Sequence, residues 1–124
     1  MKENYEIHIE VRPSNIHGNG IFTNIFIPEG KEIMIINGEV IDEQECVRRE
    51  DNNNVYIFWN GDTYIDSSNT EKIKYINHKC DFNCEVVDRD ENSLMLVSYR
   101  DINAGEILGS LFSSFMIFSF KIFK

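Results

Sequence analysis

The chain has 124 residues, enough for one domain with a modest core. A composition of 42% hydrophobic and 12% aromatic residues excludes a disordered polypeptide. With 21 acidic against 12 basic residues, the net charge of -9 would repel a nucleic-acid backbone, so no direct nucleic-acid binding is expected. It would attract a Lys/Arg-rich partner, although charge alone is as well explained by a surface that keeps the protein soluble. In chain order, "YEIHIEV" alternates and predicts a first strand, stopped by Pro13. "SNIHGNGIF" predicts a turn carrying two glycines, and "IPEG" a second turn ending at Gly30. "EIMIINGEVI" places Asn37-Gly38 between two apolar runs, which predicts a hairpin. "DEQECVRRED" predicts a helix capped by Asp42, with Glu45 three residues on as in a capping box. "VYIFW", Asn60-Gly61 and "TYID" predict a second hairpin. "SSNTEKIKYINH" predicts a short helix or irregular turn, and "CEVV" with "SLMLVSY" a strand pair around residues 89–92. Short strands, glycine turns and one short helix make this a mainly β chain.

From Ile107 to Phe120, 14 residues pass without a charge. A membrane span needs about 20 predominantly apolar residues, so no membrane span is expected. A buried strand or packed tail suits the run better than a tail anchor. The polar, acidic start "MKENYEIHIE" does not read as a signal peptide. Three cysteines make no disulfide framework and suggest reduced thiols in an intracellular setting, nuclear or cytoplasmic.

Three chemistries suit "KYINHKCDFNC", residues 74–84. A closed zinc site needs four ligands, and His78, Cys80 and Cys84 are three. Cys46, His8 and His17 are distant in sequence, so no metal is expected and buried thiols are the stronger reading. His78 and Cys80 alternate and would share a face of an extended segment, but no orienting group or oxyanion site accompanies them. The third possibility is a pocket built largely from backbone. "HGNG", His17 to Gly20, fits that idea, since glycine lets a backbone approach a ligand closely. Alone it is a weak signal, because neither a P-loop nor a full GxGxxG follows.

Taken in order, "RPSNIHGNGIF", "IPEGKEI", "NGEVI", "YIF", "YID", "YINHKCDFNC" and "YRDINAGEIL" closely resemble the SET-domain protein-lysine methyltransferases. The resemblance runs from about Arg12 to Leu108 and favours the backbone-built pocket. It implies one SET domain over residues 1–124, with 12–108 matching the family and 109–124 an atypical hydrophobic tail. The implied fold is the SET β-fold: several small curved sheets, one or two short helices, and a C-terminal segment threaded under an earlier loop. The implied cofactor is S-adenosylmethionine, and the implied partner a lysine-containing basic protein or peptide, histone-like or other. By motif match, His17, Gly18, Asn19 and Gly20 pass near the cofactor's methionine moiety. Asn77 holds its amino-acid end, and the backbone of His78 faces the adenine. Tyr56 and Phe58 match aromatic positions of the lysine channel, and Tyr56 and Phe112 are the candidate catalytic residues.

The sequence also departs from the family pattern. The last family motif is commonly G-E-E-L-T-Y-D-Y, whereas this chain reads "GEILGSLF", so Ser110, Leu111 and Phe112 replace Tyr, Asp and Tyr. Ile36 stands where a Tyr is expected, Lys74 where an Arg is, and Phe82 replaces a proline. No cysteine follows Cys84, so the zinc cluster that follows the domain in some relatives cannot form within this chain. The alternative reading is therefore a catalytically impaired SET domain that binds cofactor or peptide without turnover.

Overall fold

The structure is a computed structural model and describes residues 4–15, 18–78 and 81–110. Ten strands form three small sheets among these residues. Strands β1 (Ile9–Pro13) and β2 (Asn19–Thr23) make an antiparallel pair. Strands β3 (Glu32–Ile36), β7 (Asn77–His78), β8 (Cys84–Asp90), β9 (Ser93–Ser98) and β10 (Gly109–Ser110) form a five-stranded sheet in the order β3-β9-β8-β10-β7. Strands β4 (Glu39–Ile41), β5 (Ile57–Asn60) and β6 (Thr63–Asp66) form a third sheet in the order β4-β6-β5. This is the mainly β architecture of small sheets that the sequence implies.

Local signals account for several elements. Helix α1 (Glu43–Asp51) starts where expected, the Asp42 carboxylate accepting from the Glu45 N–H at 2.9 Å. The capping box is not reciprocal, because the Glu45 carboxylate turns instead to Arg48 and Arg49. The β5–β6 hairpin also forms, its ladder closing at Asn60 opposite Thr63, with Gly61 at φ +66°. β8 and β9 pair antiparallel as expected, and residues 73–75 make a short 3-10 turn before β7.

Two expectations need correction. The first strand starts only at Ile9, because residues 6–8 form a 3-10 turn. Alternation would put Tyr5, Ile7 and Ile9 on one face, but the turn buries Tyr5 and Ile9 and leaves Ile7 67% exposed. The strand does stop at Pro13, its last residue, which still lies in the ladder opposite Asn19, where a two-stranded edge tolerates its missing N–H. The second correction concerns Asn37-Gly38, which is not a hairpin. β3 pairs with β9 and β4 pairs with β6, so the dipeptide is a corner at which the chain leaves one sheet for another. Glycine is required there by close packing: a Cβ at residue 38 would stand 2.2 Å from the Asp66 carbonyl oxygen.

All three sheets contribute to one core. Ile9 and Ile21 meet Ile33, Met34 and Ile36, with Phe58, Ile65, Leu94, Leu96, Ile102 and Leu108. Each fully buried aliphatic side chain contributes about 1.5–3 kcal/mol relative to exposure. A smaller cluster of Ile41, Cys46 and Ile57 lies under α1. β10 is parallel to both its neighbours and lies between β7 and β8, two strands that are consecutive in the chain. Consecutive strands are more often neighbours in a sheet. Only residues up to Ser110 of the uncharged run are described; Gly109 and Ser110 form a short buried strand, and the rest of the run, for which a buried strand or packed tail is expected, lies outside the described residues. Among the described residues no helix is long and apolar enough to cross a membrane.

Candidate functional site

The glycine motif and the Asn-His motif are far apart in sequence, and residues 105–110 bring them together. Thr23 N–H donates to the Glu106 carbonyl at 3.2 Å, and Gly105 N–H donates back to Thr23 at 2.7 Å. One residue then reaches both motifs. Leu108 N–H donates to the Ile21 carbonyl at 2.8 Å, and the Leu108 carbonyl accepts from Asn77 N–H at 3.2 Å. β10 continues beside β7, Gly109 opposite Asn77 and Ser110 opposite His78.

Asn83 fixes this segment from the other side and is fully buried. Its carboxamide donates to the Ile107 carbonyl at 2.8 Å and accepts from Gly109 N–H at 2.9 Å. Its backbone N–H donates to the Gly109 carbonyl at 3.2 Å, while its carbonyl accepts from Tyr99 N–H at 2.8 Å. Glu106 braces the start of the segment. Burial alone would raise its pKa, but the Asn103 N–H at 2.6 Å and Arg100 at 3.2 Å outweigh that and hold it below the usual glutamate value.

The expected cofactor residues divide by location. Gly18 closes the 14–18 turn, accepting from Ser14 N–H at 2.8 Å, with φ +60°. A Cβ there would meet nothing within 4 Å among the described residues, which leave its bare backbone uncovered. Gly20 differs: a Cβ would lie 2.6 Å from Ile107 Cδ1, so its missing side chain admits the C-terminal segment. Asn19 is exposed at the start of β2. Asn77 is half-buried, and among the described residues its carboxamide makes no hydrogen bond. His78 occupies β7 by its backbone. His17 lies outside the described residues, as do Cys80 and Phe112.

Tyr56 immediately precedes β5 and is half-buried. Phe58, inside β5 opposite Ile65, is only 2% exposed and belongs to the main core. A charged network stands behind them. Arg49 from α1 reaches Glu39 and Asp66, each at 2.8 Å, and Glu45 at 2.6 Å. Hydrogen bonds from Arg48 and Arg49 hold the Glu45 carboxyl down at about 2. The Arg49 hydrogen bond lowers Glu39 likewise, and the three carboxylates push the guanidinium further up. Asp66 is 3% exposed. Burial would raise its pKa, yet hydrogen bonds from Ser68 and Arg49 leave it lowered.

Sequence reasoning does not single out Asn83, Asn54, Asp66 or Arg49 for a role. Asn83 stands in the family string, but nothing in its spacing says that it clamps a strand. An acid ending "TYID" in an otherwise apolar strand was the available signal for Asp66. Cys46 and Cys84 are both buried and form no disulfide. Among the described residues no group of three or more His, Cys, Asp or Glu side chains is placed to hold a metal ion.

The model of the SET domain family matches residues 18–108. The histone-lysine N-methyltransferase Set2 of Drosophila melanogaster is 36% identical over 100 residues, covering 72% of this chain and 4% of that protein. The putative histone-lysine N-methyltransferase 1 of Plasmodium falciparum is 31% identical over 117 residues, covering 86% of this chain and 2% of that protein. The chain thus spans a small fraction of the length of either relative. With the family model covering most of the chain, and the small sheets and inserted C-terminal strand in place, the chain belongs to the SET domain family, whose matched relatives are lysine methyltransferases.

Proposed function

We propose that this chain transfers a methyl group from S-adenosylmethionine to the lysine side chain of a basic, histone-like protein, acting as one SET domain. The observation that carries the reading is the pair of backbone hydrogen bonds made by Leu108, one donated to Ile21, beside the glycine motif, and one accepted from Asn77. The residues present suit the cofactor: among the described residues the Gly18 backbone is uncovered and the Asn77 carboxamide is without a partner. Gly18, Asn19 and Asn77, with His17 and the backbone of His78, would hold it, and Gly20 would let the C-terminal segment close behind.

When bound, S-adenosylmethionine supplies a methyl group on a positively charged sulfur. The chain's own task is to deliver a neutral amine, since a free lysine has a pKa near ~10.4. The Tyr56 ring, with Phe58 and Phe112 by motif match, would strip water from the lysine and disfavour its ammonium. The remaining work is alignment of the amine, for which no acid or metal is needed. The net charge of -9 favours encounter with a basic substrate. The second reading, a binding module without turnover, is favoured by Phe112, which lacks the phenol of the family motif.

Calorimetry tests the binding step. The wild type is expected to bind S-adenosylmethionine with micromolar-range affinity, about -8 kcal/mol. Asn77→Ala should weaken it by about 1–3 kcal/mol. Labelled-methyl transfer to a histone mixture then separates the two readings. No cofactor binding by well-folded protein refutes the methyltransferase reading and the cofactor-binding form of the second, and binding without transfer leaves the binding module.

A further inference from the structure

Tyr56 is held in a way that the methyltransferase reading leaves unused. It lies just outside the ladder of its sheet, whose first paired residue is Ile57 opposite Asp66. Its backbone is bonded instead by its neighbours on both sides. Tyr56 N–H donates to Asn54 Oδ1 at 2.9 Å, and its carbonyl accepts from Ser67 N–H at 2.9 Å and Ser67 Oγ at 2.8 Å. Asn54 is itself fixed, its Nδ2 donating to Asp66 Oδ2 at 2.9 Å. That same oxygen accepts from Arg49 Nη1 at 2.8 Å, and the other Asp66 oxygen accepts from Ser68 N–H at 2.9 Å. Arg49 carries the chain of contacts onward to Glu39 and Glu45.

A carboxylate as buried as Asp66 is costly unless it is paired and fully hydrogen-bonded. One of its oxygens is bonded to the local turn at Ser68, and the other is shared between Asn54, which holds Tyr56, and Arg49, which anchors α1. We propose that Asn54 and Asp66 are positioning residues for Tyr56, with Arg49 fixing the pair to α1, so that this relay sets where the Tyr56 ring meets the substrate lysine. The inference rests on the lysine methyltransferase reading above. It assigns Asn54 and Asp66 no contact with the reacting atoms.

The test compares wild type, Asn54→Ala and Asn54→Asp in the full chain labelled with 3-fluorotyrosine, the Tyr56 resonance being assigned with Tyr56→Phe. In Asn54→Ala the Tyr56 fluorine resonance should move, and its amide should exchange about tenfold faster. Unmoved Tyr5, Tyr75 and Tyr99 resonances would show that the fold is intact. kcat on a histone mixture should fall on the order of tenfold to a hundredfold. The Kd for S-adenosylmethionine should stay within about twofold, because Gly18 and Asn77 lie on other elements. Asn54→Asp keeps the oxygen that accepts from Tyr56 N–H but turns a second carboxylate oxygen toward Asp66. It should therefore recover part of kcat only as pH falls and the pair takes up a proton. An unmoved Tyr56 resonance with unchanged amide exchange overturns the proposal. So does a kcat loss matched by an equal loss of cofactor affinity. A wild type inactive despite good folding would refute the methyltransferase reading alone, and the fluorine and exchange data would still decide the placement of Tyr56.

Discussion

Replacing Asn83 with alanine probes the clamp on which the assembled motifs depend. The side chain is fully buried and makes two hydrogen bonds to the C-terminal segment, at 2.8 Å to Ile107 and 2.9 Å to Gly109. Removing it leaves the Gly109 N–H, in a buried strand, with no acceptor, and the Ile107 carbonyl with one donor fewer. Each stranded group costs about 1–3 kcal/mol. The buried Gly109 belongs near the top of that range and the half-buried Ile107 near the bottom, so the sum is about 4 kcal/mol. Against a typical stability of about 5–15 kcal/mol this is a large fraction. In urea, with a slope of about 2 kcal/mol/M, the unfolding midpoint should fall by about 2 M at unchanged slope. A loss below about 1 kcal/mol would refute the clamp. Asn83→Asp gives a second arm with a definite sign. It keeps the acceptor for Gly109 but turns an anionic oxygen toward the Ile107 carbonyl, so the folded state raises the introduced carboxyl's pKa and binds its proton more tightly. The gap to wild type should therefore narrow as pH falls from 7 toward 5. A pH-independent gap would remove the argument.

Gly38→Ala should cost upwards of about 3 kcal/mol, because the new Cβ would sit 2.2 Å from a backbone oxygen that cannot swing away; equilibrium unfolding measures it, and a loss under 1 kcal/mol would mean the sheets part easily at this corner. Acid should loosen α1. Glu45 titrates at about 2 in the folded chain, and Glu39 and Asp66 are also lowered, so their contribution is present above the ordinary carboxylate range and is lost as pH falls from about 4.5 toward 2. Helical circular dichroism with stability at each pH follows this, and a flat stability curve across that window would contradict it. Phe112→Tyr should raise single-turnover methyl transfer with little change in cofactor affinity, because it restores a phenol without altering the ring; equal rates would mean another hydroxyl, such as that of Tyr56, already serves.

Signals read correctly in the sequence are those whose cause lies within a few residues. Asp42 caps α1 because its carboxylate needs only the N–H three residues on. The β5–β6 hairpin closes through two loop residues for the same reason. Asn37-Gly38 carries as strong a hairpin signal, but the partner of β3 is β9, reached only after residue 92. What makes glycine necessary at 38 is a carbonyl from Asp66, and no window around Gly38 contains it. The start of β1 was missed on a finer scale, since one 3-10 turn buries Tyr5 and Ile9 while breaking the alternation between them. The insertion of β10 between β7 and β8 lay outside periodicity altogether and was legible only through the family resemblance. The relay behind Tyr56 was not legible even so, because Asn54 sits in an Asn-rich run that reads equally well as a turn.

The same distinction explains how the C-terminal motif departs from the family pattern while its backbone keeps its place. Residues 106–110 are held mainly through main-chain groups: Glu106 by Thr23, Leu108 by Ile21 and Asn77, and Gly109 by the Asn83 backbone and carboxamide. Those bonds do not depend on the side chains of residues 109–110. Ser110, where the family has a tyrosine, accordingly remains fully buried in the ladder opposite Cys84. Gly20 permits closeness on the other side, since a Cβ there would require the Ile107 side chain to shift. The scaffold that joins the glycine motif to Asn77 therefore keeps its bonds with Gly109 and Ser110 in the motif, and under the proposed function the departure at Phe112 is expected to act on the lysine side. For that reason cofactor affinity and methyl-transfer rate should respond to different residues, Asn77 governing the first and Phe112 the second.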